Sequence, residues 1–420
     1  MMQCPRIFLY ALCIVSFLSA WSRGEELDGF GLEIALEGDT SDAERQTIAV
    51  ASINKLHIFW RAAAKEDRQP PVSNVTNLHD TNVLPWNKVQ EFDHMGYDSP
   101  VVTFGPSVFK GDDEGVVHVF TAPIRSEVRA DNIHPKNTWN HETIVPKRNQ
   151  RFGSNLMALD EDTVVLRSII SKSQDEEEHT QLLVYQRQGK RGKFQQVQEL
   201  DLGPPGRYEF DSGIARSMAA SGDKLVLGGG THLYLFVKKT RHNGSTWWTK
   251  TDKISTRLLT DMTRSISIDG NTVAVGYSPP IYPFGQGGSV TIFDIQKERF
   301  HKKQIITGLF SSFFGLSVAL HKDDLVIGAP EEVYVYQRRS RGGHRFERKQ
   351  MLTAANTKKG EMNLFGQNVA VQDNTILVGA YLKDGPGGGS AYVFSRKEPG
   401  SKWMHEQELK GEGDVVLGIQ

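Results

Sequence analysis

Acidic pairs recur along the chain at Asp160/Asp162 and Asp323/Asp324, with a denser run at Asp112-Asp113-Glu114. Paired carboxylates can supply the acid and base of glycoside hydrolysis, and a larger set can hold a hard cation. Both readings require the acids to converge. These pairs instead return at one point of successive repeats, between two short apolar runs, where Asp and Asn cap their own backbone in a turn. Turn chemistry is the expectation, and no catalytic residue is assigned. His134 and His141, with Asp131 and Glu142 nearby, are the densest metal-type grouping. A stable site needs three or four converging ligands, and no HExxH pattern supports this one. No Gly-x-Ser-x-Gly elbow occurs. The glycine runs at 228–230 and 387–389 sit between strand-like segments, not ahead of a helix where a phosphate loop would place them.

Two further groups could contact a partner. Basic stretches at Gln188–Lys193, Lys238–His242 and Gln337–His344 follow the third strand-like run of their repeats. Placed at equivalent turns they would form a basic rim, although Lys and Arg also protect exposed strand edges, and edge protection is the preferred reading. Trp247-Trp248 are expected to split into one packed and one half-exposed indole on an outer strand.

The chain begins with Met1 to Arg6 and an apolar run from Ile7 to Ala20. That layout is a secretory signal peptide over residues 1–22, with cleavage between 20 and 24. Both cysteines, Cys4 and Cys13, fall inside it. A mature chain without cysteine excludes disulfides, thiolate catalysis and cysteine–zinc sites. The expected location is secreted or extracellular, with no membrane span after cleavage. The net charge of −1 removes any general electrostatic case for nucleic acid. Forty glycines with a hydrophobic fraction of 38% suit a turn-rich all-β protein. Asn74 and Asn243 open N-x-Thr/Ser triplets and are glycosylation candidates.

What must position these residues is a repeat. Phe314-Gly315 leads into LSVAL, an Asp-rich turn, LVIGAP and EVYVYQR; Phe365-Gly366 leads into QNVAV, another turn, ILVGAY and SAYVFSR. The copies lie about 51 residues apart, a blade-like period. Fainter copies begin at Phe30-Gly31, near Ser99, at Phe152-Gly153, near Gly213 and near Arg264. Each carries two short β-prone runs around a polar turn, a third alternating strand, and a more polar strand opened by an aromatic. Four strands grading from apolar to half-polar describe a propeller blade. The expected fold is a seven-bladed all-β propeller over residues 27–410, with 411–420 as a tail or closing strand. Trp403–Leu409 either completes the last blade or closes the ring against the first.

Phe-Gly at the start of one strand and Gly328-Ala329-Pro330 at the end of the next resemble the FG-GAP repeat of integrin α-type propellers. Gly379-Ala380 repeats the second element, with Tyr381 where the proline would stand. The resemblance implies a binding or adhesion protein, and in that family a calcium site in an inter-strand loop. The corresponding loop here, Tyr381–Ser390, has one aspartate beside Lys383, and the loop 278–288 has no carboxylate. Calcium needs six to eight oxygen ligands, so no metal and no cofactor is assigned. The functional expectation is a non-catalytic propeller binding an extracellular protein or glycan. The alternative is a polysaccharide hydrolase or lyase with an acidic site centred on one face.

Overall fold

The computed structural model describes residues 34–38, 45–52, 55–62, 87–93, 101–104, 107–112, 114–121, 139–147, 150–152, 155–170, 179–189, 192–202, 217–229, 232–255, 263–277, 287–308, 313–340, 343–354, 363–380 and 389–410. Residues 1–22 and 411–420, with Phe30, Gly31, Asn74, Asp131, His134 and Gly153, lie outside them. Among the described residues no helix is long and apolar enough to cross a membrane.

The sixth sheet shows how sequence becomes strand. Ser317–His321 and Asp324–Ala329 are runs of β-branched and aliphatic residues, buried almost throughout. They are joined by Lys322-Asp323, with Lys322 at φ 53°. Glu332–Arg338 pairs with the second strand on its other side, and Phe346–Leu352 pairs with the third, always antiparallel. The chain thus runs as a meander from inner strand to outer strand. Its burial falls off toward the edge, where only the two end residues of Phe346–Leu352 are buried.

Among the described residues, six sheets have four antiparallel strands and one has five. The fifth strand departs from the expected blade. Gln150–Arg151 pairs with Ile169 and Ile170, the stretch of Thr163–Ile170 that outruns its hairpin partner Leu156–Asp160. The first strands of the sheets are Ile34–Gly38, Val101–Phe104, Leu156–Asp160, Ser217–Ser221, Thr263–Asp269, Ser317–His321 and Val369–Gln372. Each touches the next in that order, and the last touches the first. The ring is closed.

Among the described residues no strand is exchanged to close it. Met404–Lys410 pairs with Ser390–Ser395 as the outer strand of the last sheet. Closure is by packing: Leu377, Ala391, Val393 and Leu409 of the last sheet bury against Ile48 and Phe59 of the first. Similar cores fill the other junctions, such as Ala274, Val290 and Ile292 against Phe314, Leu325 and Ile327.

The two motif elements meet between sheets. Phe314-Gly315 lies in a turn ahead of its strand, not within it. Phe313 and Gly315 take left-handed φ of 66° and 85°, as Leu364 and Gly366 do in the last sheet at 54° and 92°. The Gly315 N–H donates to Gly328 O at 3.1 Å, and the Gly366 N–H donates to Gly379 O at 3.0 Å. A Cβ on Gly328 would lie 2.0 Å from Gly366 O, so the first glycine of the Gly-Ala pair admits the backbone of the following sheet. Pro330 is half-buried behind it. Phe314 and Phe365 fill the junction cores edge-on to Tyr334 and Tyr392, with centroids 5.3 and 5.4 Å apart. Phe152 meets Tyr185 in the same way at 5.7 Å.

The outer strands are pinned by a second repeated device. A register shift falls at the same point of the third–fourth strand pairing in six sheets, followed each time by Gln90, Gln198, Asp252, Gln304, Gln350 or Gln407. The Gln350 side chain donates to Trp403 O at 2.8 Å and accepts from Trp403 N at 3.0 Å. Gln198 does the same for Trp248, and Gln304 for Phe346. Asp252 accepts from Phe300 N at 2.8 Å. The bulge turns each of these four polar side chains toward the aromatic of the next outer strand.

Candidate functional site

In an antiparallel meander the turns alternate ends. The first–second and third–fourth turns of every sheet therefore share one face of the ring, the hairpin-turn face.

The third strand ends in a basic residue in several sheets, and its backbone N–H donates to the first turn of the same sheet: Arg187 to Asp162, Lys238 to Asp223, Arg338 to Asp323 and Arg396 to Asn374, at 2.7 to 3.1 Å. The arginines also lie over the aromatic that opens the fourth strand. Arg187 is 4.5 Å from the Phe194 centroid, Arg338 is 4.7 Å from Phe346 and Arg396 is 4.3 Å from Trp403. Their charge is spent locally. Arg187 pairs with Asp162 and Glu142, Arg338 with Asp323, Lys238 with Asp160, Lys239 with Glu298 and Arg339 with Glu347. Of the basic stretches read from the sequence, Lys238, Lys239, Arg338 and Arg339 are held in ion pairs, while Lys190, Arg191 and Arg341 lie outside the described residues.

Between the fifth and sixth sheets this face opens into a pocket of about 540 Å³. Asn271, Lys322 and Asp323 come from the two first turns, while Asp294, Gln296, Arg338 and His344 come from the third strands and the turns beyond them. Arg338 donates to Thr272 Oγ1 and to Lys322 O, each at 3.2 Å, and to Gly343 O. Asp294 stands opposite Thr272 in the strand register, and its Oδ2 accepts from Gln296 Nε2 at 2.7 Å. Lys322 Nζ is drawn to Asp373 Oδ1 at 2.5 Å, which His321 also contacts at 3.1 Å. Burial raises the Asp373 pKa, but the hydrogen bonds and charges of Lys322 and His321 prevail and hold it below the usual range.

A second arrangement sits on the second sheet. Asp112 Oδ2 is 2.9 Å from His118 Nε2, and His118 Nδ1 is 2.9 Å from His141 Nε2. Asp112 is fixed by the Val116 N–H at 2.8 Å, and the His118, His141 and Phe120 rings stack. With His118 donating to Asp112, its Nδ1 accepts from His141. Burial lowers the His141 pKa, and the neighbouring His118 lowers it further. Among the described residues no three or more His, Cys, Asp or Glu side chains could hold a metal ion.

The expected groupings are redistributed. Glu142, read beside His141, turns to Arg187, while His141 finds His118 and Asp112, which sequence distance had hidden. Asp160 caps the turn through the Asp162 N–H at 3.0 Å, as expected of turn chemistry. Asp324 does not: it is buried and grips Arg396 from the next sheet. Asn243 is exposed at a hairpin tip, and its Oδ1 accepts from Ser245 N and Oγ at 3.1 and 2.7 Å. Trp248 is buried and Trp247 half-buried. Asp294 carried no signal, and His344 stood out only as the end of a basic stretch, since their sheets meet only in the closed ring.

A closed ring of four-stranded antiparallel sheets, whose functional groups lie in the turns and at the junctions, defines a β-propeller. Within it, residues 346–394 match the FG-GAP repeat family. The match starts on the outer strand of the sixth sheet and ends on the third strand of the seventh, so the repeat straddles two sheets. No curated protein matches the chain by sequence. Solved structures similar to it include Sqt1 from Saccharomyces cerevisiae, at 10% identity over 93% of this chain and 88% of that one, with a TM-score of 0.47. Another is a hypothetical selenium-binding protein from Sulfolobus tokodaii, at 8% identity over 93% and 92%, with a TM-score of 0.49.

Proposed function

We propose that this protein is a secreted, non-catalytic propeller of seven blades, the five-stranded sheet counting as one. It binds an extracellular protein or glycan through its hairpin-turn face. The observation that carries the reading is the pocket of about 540 Å³ between the fifth and sixth sheets, open and lined largely by polar and charged side chains. Pockets with a few convergent polar groups are the usual recognition sites of such scaffolds. The apolar run at Ile7–Ala20 supports secretion, and the FG-GAP repeat at 346–394 is in keeping with a binding role.

The test is proximity labelling by the mature protein in its secreted form, run beside Gln296→Trp, which fills the pocket mouth. A partner set that depends on an open pocket supports the reading; identical sets from both proteins would sink it.

The Asp112–His118–His141 chain favours a second reading, a hydrolase or lyase acting on polysaccharide. A carboxylate that orients one imidazole against another can move a proton. Depolymerisation of a polysaccharide panel that is lost in His141→Ala would establish it.

A further inference from the structure

We infer that the pocket between the fifth and sixth sheets receives a basic side chain, a lysine ammonium or an arginine guanidinium, from a protein partner, with Asp294 as its counter-charge. The inference rests on the binding reading above and names the group that enters.

Asp294 lies on the third strand of the fifth sheet, Ser289–Gln296, and its side chain is only 9% exposed. One carboxylate oxygen accepts from Gln296 Nε2. His344 Nε2 is 3.8 Å from that same oxygen, a long ion-pair contact when the ring is protonated but beyond hydrogen-bond reach. No described residue donates to the other oxygen, Oδ1. The remaining charges of the wall are matched, Arg338 with Asp323 and Lys322 with Asp373. The open pocket leaves that oxygen within reach of an incoming cation.

The next junction shows the filled version. There Asp324, which opens the second strand of its sheet, takes both Arg396 nitrogens at 2.8 and 2.5 Å. In the fifth sheet the equivalent position is Thr272, and the carboxylate has moved across the ladder to Asp294. Arg338, the counterpart of Arg396, is left with the Thr272 hydroxyl and makes no ion pair with Asp294. The acid is therefore displaced from the internal arginine and faces an open pocket. An incoming guanidinium or ammonium makes there the contact that Arg396 makes to Asp324.

The experiment is calorimetric titration of the full mature chain with Nα-acetyl-lysine methylamide and Nα-acetyl-arginine methylamide. The Nε-acetylated lysine analogue, spermidine and inorganic phosphate are the comparison arms. Both cationic amides are expected to bind at millimolar concentration, with the neutral analogue at least about tenfold weaker. Asp294→Asn should lose about tenfold or more with an unchanged unfolding midpoint. Should Asp294→Asn fold poorly, Gln296→Trp is expected to lose the same binding by filling the mouth. Three results overturn the proposal: no binding of either amide, phosphate binding that persists in Asp294→Asn, or spermidine binding far tighter than both amides. Labelling that depends on Gln296 without amide binding leaves the binding reading standing and removes only this inference.

Discussion

Arg396 and Asp324 form a two-point ion pair across the junction of the sixth and seventh sheets, with both side chains at most 5% exposed. The guanidinium also donates to Asn374 Oδ1 and Asp373 O, and it lies over Trp403, so its contacts are distributed over three elements. Removing one partner strands a buried charge. Asp324→Ala is expected to cost about 3–5 kcal/mol in chemical denaturation. The double variant Asp324→Leu/Arg396→Met should recover much of that loss, because the desolvation penalty then disappears with the pair. A double variant as unstable as the single one would show that the pair itself supplies the stability.

Gly328 tests the junction geometry of the Gly-Ala element. Its φ is ordinary, so alanine meets no backbone strain there; the obstacle is Gly366 O, 2.0 Å from the point a Cβ would occupy. Gly328→Ala should destabilise by about 1–3 kcal/mol through overpacking. Gly222→Ala, with open space around it but a φ of 59°, should lose stability through backbone strain alone. Enlarging the side chain further, in Gly328→Val and Gly222→Gln, should deepen the loss at 328 and leave that at 222 nearly constant. Unfolding curves in which both sites respond alike to added volume would contradict the packing account.

Glu331 gives a pH dependence with a definite sign. Burial raises its pKa, outweighing the Leu364 and Asn363 N–H groups that bond its carboxylate at 2.7 and 3.0 Å. A carboxyl that is harder to ionise in the folded state lowers stability as pH rises above its unfolded pKa. Glu331→Gln keeps an acceptor oxygen and stays neutral. Its melting temperature should exceed that of the parent at pH 7, and the gap should close as pH falls through the carboxylate range. A variant less stable than the parent at pH 7 would mean that the two N–H bonds need the full charge.

Asn243 stands at an exposed hairpin tip, and Gly244 beside it has nothing within 4 Å of a Cβ position. A glycan has room there. On secretion from a eukaryotic cell, the tryptic peptide 242–250 is expected to carry a glycan that Asn243→Gln and Ser245→Ala abolish and Ser245→Thr retains. An unmodified peptide from protein recovered in the medium would rule this out.

The blade phase was legible because hairpin chemistry is local. Val318–Leu320 and Leu325–Ile327 around an Asp-rich turn specify a strand pair wherever they occur. The aromatic opening each outer strand was visible too, but its partner was not: Gln350 and Trp403 belong to different sheets and meet only across a junction. The same limit hid Asp324. Read along the chain it is one of two acids in a turn, whereas its neighbour Asp323 faces the turn and Asp324 faces Arg396.

The sequence by itself determined the repeat, the order of strands within each sheet and the turn role of residues such as Asp160, since all of these depend on neighbours a few positions apart. The tertiary structure decided what the charged residues do. Pairing of the third and fourth strands joins His118 to His141 across a long connection. Ring closure then sets each third strand against a neighbouring sheet, which gives Arg187, Lys238 and Arg396 their acids and leaves Asp294 facing an open pocket. Local pattern carries no record of which residue will stand across a junction, because that depends on how all the sheets share one ring.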